Sequence, residues 1–159
     1  MKRLLSHLAV RVIASDLLSS SLSAAVLAWR GRAETGSAAA PINAVSHWLW
    51  PRQALRQDAA SARFTLTGTV VHFAAAALWS GLYEAVRARR RDATPANAVT
   101  DAVAVTTVAA VVDLACVPDR LTPGFEKRLS PRSLVMVYAG FAVGLALAGL
   151  AALPRDRRG

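Results

Sequence analysis

The stretch from residue 64 to residue 86, FTLTGTVVHFAAAALWSGLYEAV, decides the fold of this 159-residue chain. Its only acidic or basic side chains are His72 and Glu84. The stretch is long enough for a membrane helix, which needs about 20 predominantly apolar residues. An arginine-rich cluster, Arg87 to Arg91, follows it directly. The sequence therefore predicts a membrane-spanning helix that ends at a basic boundary.

Three further windows have the length and apolar character of membrane spans: 12–29, 97–117 and 133–153. The chain is 54% hydrophobic and only 18% charged, yet its net charge is +9. Because the charges form short clusters between nearly uncharged stretches, the lipid bilayer is the expected partner and nucleic acid is not. The predicted fold is all-α: a polytopic membrane protein with a four-helix transmembrane bundle, built as one membrane domain over 1–159.

The first window has a second interpretation. Lys2 and Arg3 precede an apolar stretch with small residues near its end, which is typical of a cleaved signal peptide. Arg11 and Asp16 interrupt that stretch, where a signal peptide has an unbroken apolar core. Retention as a first membrane helix is therefore the favoured interpretation, and cleavage is the alternative.

Basic residues set the expected orientation. Four spans place both termini on one side, together with the 87–96 connection. Basic residues are denser in this set than in the opposite connections, 30–63 and 118–132. The positive-inside rule then predicts cytoplasmic termini. Arginine greatly outnumbers lysine, as in GC-rich bacterial genomes, so we expect a multi-pass protein of the bacterial cytoplasmic (inner) membrane.

Both connections on the outer side look ordered. Within the outer loop 30–63, apolar residues at helical spacing predict a short interfacial helix over 41–50. Its aromatic residues favour an anchor at headgroup level, and the alternative is a lid or the lining of a site. The outer loop 118–132 is divided into turns by prolines. The candidate outer-loop site comprises His47, Trp48, Trp50, Asp119 and Glu126.

Ionisable side chains inside spans are functional candidates by default. Five form the candidate polar intramembrane site: Asp16, His72, Glu84, Asp101 and Asp113. At 1.5 Å per residue, His72 lies about 12 Å and Asp113 about 6 Å below the outer boundary, close enough in depth to meet. Such a pair could join two helices, which is the favoured interpretation. Alternatives are a proton- or ion-responsive pair, or a metal or haem site with His47 as a second ligand.

Small residues predict close helix packing. Gly140 and Gly144 form a Gly-x-x-x-Gly pair, and Ser19 and Ser23 share one face of the first helix. Such stripes let backbones approach closely. They predict a tight bundle, and they could also support a homo-oligomer or a partner membrane protein.

Four features follow one another along the chain: an intramembrane histidine at His72, a polar residue near the end of the third span, Pro118 and the turn of residues 121–123. Together they resemble a family of small bacterial inner-membrane proteins. Some members of that family are linked to acid resistance. The resemblance implies four transmembrane helices and carries over His72 and Pro123. The chain departs from the family pattern at Asp113, where the family has a second histidine.

Three classes of function are compatible with the sequence. The favoured hypothesis is a non-enzymatic membrane protein: a small scaffold, an accessory subunit or an envelope stress-tolerance protein. The second is an oligomeric proton or ion conduit, or a proton-coupled carrier, that uses His72 and Asp113. The third is a membrane-embedded enzyme that acts on lipid or quinone. The sequence has no phosphate-binding loop, zinc-protease motif or nucleophile elbow, so no catalytic residue, metal or cofactor is predicted.

Overall fold

A computed structural model describes residues 2–153, with side chains from residue 6 onward. The side chains of Lys2 and Arg3 and the residues after 153, which entered the orientation argument, lie outside this part. Five α-helices are described: α1 Lys2–Thr35, α2 Ala40–Val45, α3 Thr67–Ala88, α4 Pro95–Val111 and α5 Pro131–Ala151. No strand occurs within residues 2–153.

Four helical segments are long and apolar enough to cross a membrane: Ser6–Thr35, Ala62–Ala88, Pro95–Cys116 and Pro131–Ala151. They form the predicted all-α four-helix bundle, which is confirmed. Helix α1 packs against α5 and α3, and α4 also packs against both of these helices. Because the four run alternately up and down, one end of the bundle carries residues 36–61 and 117–130, here named the loop end. The opposite end carries residues 89–94 and is named the turn end.

Helix α1 extends well beyond the predicted window 12–29 at both ends. Polar side chains outside that window have partners on other helices, so they stabilise the added turns. Near the loop end Glu34 accepts hydrogen bonds from Arg30 at 2.9 Å and from the Ser130 backbone N–H at 2.7 Å. The carboxylate thereby caps the start of α5, where the helix dipole favours negative charge. Gly36, with φ +74°, then ends α1 in the left-handed conformation common at helix C-termini.

Helix α2 is shorter and more enclosed than the predicted interfacial helix. It ends at Val45, a 3₁₀ turn covers Ser46–Trp48, and all six residues of α2 are buried in the protein. Ile42 and Val45 pack in a core cluster with residues of α1, α5 and the 117–130 loop. The segment therefore closes the loop end of the bundle, and does not lie on its surface.

The Gly-x-x-x-Gly pair is used inside the chain. A Cβ at Gly144 would collide with the backbone of Ser19, and one at Gly140 would lie 3.1 Å from a Val26 methyl carbon. Ser19 and Ser23 are likewise buried, against α3. These four residues join α1 to its neighbours, so the prediction that they offer a face for a second copy or a partner protein gains no support.

Candidate functional site

Polar side chains line the whole contact between α1 and α3. We call this set the polar seam, and its members are Arg11, Ser15, Ser19 and Ser23 of α1 with His72, Ser80 and Glu84 of α3. On both helices the members recur at multiples of four residues, a spacing that keeps them on one face. The sequence shows both stripes, but only the structure shows that they pair with each other.

At the turn end the seam holds a buried carboxylate that has an arginine and a serine as partners. Glu84 is fully buried, and its carboxylate lies 2.7 Å from the Arg11 guanidinium and accepts a hydrogen bond of 2.7 Å from Ser15. Glu84, one of the five candidate intramembrane residues, therefore lies between α1 and α3 with its counter-ion on α1. The unpredicted first turns of α1 carry Arg11 to this carboxylate.

Hydroxyl groups continue the seam towards the loop end. Ser19 and Ser80 lie 3.3 Å apart through their Oγ atoms, and Ser23 Oγ lies 2.9 Å from His72 Nε2. Asp16 is half-buried beside the seam and accepts a hydrogen bond of 2.9 Å from Ser20 on its own helix. Between Glu84 and His72 the seam thus consists of polar but uncharged side chains, which form separate hydrogen-bonded pairs across the two helices.

Asp101 belongs to a separate ion pair at the turn end. Its carboxylate is buried and meets both the Nε and Nη2 atoms of Arg90, the former at 3.2 Å. This hydrogen bonding, and the carboxylate charge, raise the pKa of Arg90 above its ordinary value. Asp101 therefore fixes the 89–94 connection against α4.

A cavity of about 400 Å³ occupies the loop-end half of the bundle. Its walls come from α1, α2, α3, α4, α5 and both loop-end connections, and they are mainly apolar. The lining includes Ser23, Trp48, His72, Leu78, Trp79, Asp113, Leu121, Phe125, Tyr138 and Phe141. Leu78 and Leu121 are 70% and 49% exposed, so the cavity reaches the outer surface of the bundle.

His72 and Asp113 line this cavity together without bonding to each other. His72 Nε2 is occupied by Ser23, whereas Asp113 Oδ2 accepts a hydrogen bond of 3.1 Å from the Tyr138 hydroxyl. The sequence predicts similar depths for both residues, and both lie in the loop-end half of the bundle. Their direct pairing is not present in the structure, because each has a partner on a different helix.

An irregular turn positions Asp113. Helix α4 widens into a π-helical turn over Val112–Cys116 before Val117 leaves in an extended conformation. Such turns are uncommon and often mark functional sites. The Trp79 indole of α3 faces the same carboxylate as Tyr138. Neither aromatic residue is among the predicted site residues. Tyr138 lies in a span at about the depth of Asp113, which is the signal that could have identified it. Trp79 lies seven residues beyond His72 on α3, so depth does not identify it.

His47 and Trp48 connect the two loop-end segments above the cavity. His47 Nδ1 lies 3.0 Å from the Ala44 carbonyl oxygen and Nε2 lies 3.3 Å from that of Asp119. Trp48 donates a hydrogen bond of 2.9 Å to the Thr122 carbonyl oxygen. Both ring nitrogens of His47 thus face backbone, which leaves neither free for a metal. No group of three metal-ligating side chains occurs in the described part of the chain.

The remaining outer-loop candidates lie apart from one another. Trp50 packs edge-to-face on Phe64 at 5.5 Å, with the Arg63 guanidinium over its ring at 4.9 Å. Asp119 is exposed, and its backbone carbonyl rather than its carboxylate meets His47. Glu126 differs from both, because its two carboxylate oxygens are buried and have no hydrogen-bond partner among the described residues.

No protein-family model, curated protein or solved structure gives a match to this chain. Inference about function therefore starts from the cavity and the side chains around it.

Proposed function

We propose that this protein is a non-enzymatic membrane protein that binds an apolar small molecule from the bilayer in the loop-end cavity. The cavity itself carries the proposal. Ligand sites typically measure about 300–1,000 Å³ and combine apolar and aromatic walls with a few polar groups. The cavity has this size and composition, with His72, Asp113 and Tyr138 as its polar groups.

Access from the bilayer supports the same function. Leu78 and Leu121 line the cavity and are also exposed at the surface of the bundle. Leu78 belongs to α3, and an exposed leucine on a helix that crosses a membrane faces acyl chains, whereas Leu121 lies in the 117–130 loop. A molecule dissolved in the bilayer could therefore enter sideways past Leu78, below α2 and the 117–130 loop.

The orientation of the bundle belongs to the same proposal. With the turn end in the cytoplasm of a bacterium, the Arg87–Arg91 cluster obeys the positive-inside rule and the cavity lies in the outer leaflet. The lone Cys116 can be replaced by alanine before single cysteines are introduced at exposed positions of the two ends. A membrane-impermeant maleimide should label Ala38→Cys in intact cells and Arg91→Cys only after lysis. The reverse pattern would place the cavity in the inner leaflet.

Tryptophan fluorescence provides the direct test. Trp48 and Trp79 line the cavity, whereas Trp29 is 57% exposed on α1. In phosphatidylcholine nanodiscs, a brominated twelve-carbon alcohol should quench Trp48 and Trp79 saturably in a variant with phenylalanine at positions 29 and 50. It should quench Trp29, retained as the only tryptophan, without saturation. Ala75→Leu should abolish the saturable component because Ala75 lines the cavity.

The matched control is Gly81→Leu, which adds the same side chain to α3 where nothing lies within 4 Å of the new Cβ. It should leave saturable quenching intact. If quenching of Trp48 and Trp79 in the variant with phenylalanine at positions 29 and 50 also fails to saturate, the proposed function is wrong.

The polar seam favours a second candidate, a proton-coupled carrier. The seam runs from Glu84 to His72, and His72 lines the cavity, so a proton path could meet the ligand there. Proteoliposomes loaded with a pH-sensitive dye would then acidify when the alcohol probe is driven down a gradient. His72→Gln should remove that signal while saturable quenching persists. No proton movement in the parent protein would exclude this candidate and leave simple binding.

A further inference from the structure

The charges around the cavity are of one sign, which bears on the chemical class of its ligand. Asp113 lines the cavity. Glu126 does not line it, but Glu126 follows Phe125, which does, and lies near enough to act electrostatically on both Asp113 and the Tyr138 hydroxyl. No lysine or arginine of the described chain lines the cavity. The polar end of a ligand would therefore meet hydrogen-bond acceptors and negative charge.

Glu126 is the incomplete member of this arrangement. Both of its oxygens are buried and lack a donor within the described residues, although an isolated buried carboxylate is strongly unfavourable. Elsewhere in this chain buried carboxylates have arginine partners: Arg11 for Glu84 and Arg90 for Asp101. The unmet requirement at Glu126 is for a cation or a strong hydrogen-bond donor.

Aromatic rings supply the second element of a cation site. Five line the cavity: Trp48, Trp79, Phe125, Tyr138 and Phe141. The faces of such rings attract cations, and the attraction increases where water is excluded. Phe125 immediately precedes Glu126, and Tyr138 bonds to Asp113, so rings and carboxylates occur side by side.

From these observations, and resting on the proposed function, we infer that the ligand is a lipophilic cation. Its apolar body fills the cavity, and its ammonium group lies near Asp113 and Glu126 among the aromatic rings. An anionic amphiphile of the same length meets two carboxylates and no basic side chain, so it is disfavoured. The cavity thus selects its ligand by the charge of the head group.

Three probes with one alkyl chain test this selection: dodecyltrimethylammonium, dodecanol and dodecyl sulfate, each below solubilising concentration. Each is used to displace the brominated alcohol from Trp48 and Trp79 in phosphatidylcholine nanodiscs, with affinities expressed per mole fraction in the bilayer. The permanent charges of the two ionic probes remove any ambiguity from titration. We expect the ammonium probe to bind about tenfold more tightly than dodecanol, and the sulfate to bind most weakly.

Substitutions of the two carboxylates test whether they produce the preference for the ammonium probe. Asp113→Asn and Glu126→Gln should each reduce the ratio of ammonium-probe affinity to dodecanol affinity about fivefold or more. The control is Asp119→Asn, which removes one exposed negative charge from the same end of the bundle and should alter nothing. Glu126→Gln serves as the independent test should Asp113→Asn fail to fold.

The outcomes separate the two proposals. Equal affinity for all three probes, or a preference for the sulfate, would overturn the lipophilic-cation inference and keep the cavity as a binding site. Absence of saturable binding by every probe would overturn the proposed function itself. A preference for the ammonium probe that survives both variants would also contradict the inference, because the preference would then arise elsewhere.

Discussion

The turn end of the polar seam and the 117–130 loop beside the cavity each hold a glutamate with a buried carboxylate, but only the first has a charged partner. Glu84 has an arginine and a serine within hydrogen-bond distance, whereas the oxygens of Glu126 have no donor in the described chain. A polar group that is fully partnered stabilises a fold, and one that is not costs free energy. The carboxylate of Glu84 therefore has a counter-ion within the protein, whereas that of Glu126, beside the cavity, has none among the described residues.

The largest expected effect comes from removing Glu84 from the polar seam. Glu84→Ala leaves the Arg11 guanidinium without its carboxylate and should lower the free energy of unfolding by about 3 kcal/mol, the lower end of the range for breaking a buried pair. The lower end applies because the Arg11 side chain is 37% exposed. Thermal unfolding followed by circular dichroism in detergent measures the loss.

Glu126→Ala is the matched control for that experiment. It removes the same side chain at a position where no hydrogen bond is lost, and should leave the free energy of unfolding unchanged or raise it. Equal destabilisation by the two substitutions would show that the contrast between the regions is not one of polar pairing.

The second prediction concerns the close contact of α1 with α5. Gly144→Leu forces a side chain into the backbone of Ser19 and should destabilise the fold by about 2 kcal/mol, a typical cost of overpacking. Gly81→Leu, on an open face of α3, should have little effect on the same unfolding curve. If both glycine variants retain full stability, the α1–α5 contact is not a tight interface.

The sequence predicts the bundle better than the partners within it. Four long apolar windows suffice for the fold because the length of a membrane helix is fixed by the thickness of the bilayer. The extra turns of α1 escape prediction, since Arg11, Arg30 and Glu34 read as the ends of a span until their partners are known. A charged residue lies within a buried helix only where another segment neutralises it, and that segment is distant in sequence.

For the candidate site, too, the sequence predicts the positions of residues better than their partners. Depth along the helices correctly brings His72 and Asp113 to one level, where they share a cavity. Depth alone does not show on which side of a helix each neighbouring helix lies. The sequence therefore does not reveal that the partner of Asp113 is Tyr138 rather than His72. Likewise, the sequence identifies Glu126 as a loop residue, and only the folded structure shows that its carboxylate is buried.

The third prediction is that a leucine added at a different position stabilises the fold. Ala75→Leu introduces a leucine side chain into the cavity, whereas Gly144→Leu introduces one into a packed interface. We expect it to raise the free energy of unfolding by about 1 kcal/mol, as filling a cavity commonly does. The measurement is the same thermal unfolding curve, in parallel with the loss of saturable quenching. Destabilisation similar to that of Gly144→Leu would mean that the cavity walls are as closely packed as the α1–α5 contact.

The smallest expected effect is found in the middle of the seam. Ser19 and Ser80 are both fully buried and lie 3.3 Å apart, so either hydroxyl can donate to the other. Hydrogen bonds between membrane helices contribute only about 0.6 kcal/mol on average, because the same groups find other partners in the unfolded state. Ser19 has such an alternative already, the Asp16 carbonyl oxygen at 3.3 Å.

A double-mutant cycle of Ser19→Ala and Ser80→Ala should therefore give a coupling energy of about 0.6 kcal/mol, well below the effect of Glu84→Ala. The alanine pair should also leave ligand binding unchanged, since neither serine lines the cavity. A coupling energy as large as the loss from Glu84→Ala would place the stability of the seam in its hydroxyl groups. The ion pair of Arg11 and Glu84 would then be secondary, and the contrast with Glu126 would rest on hydrogen bonding in general rather than on a missing cation.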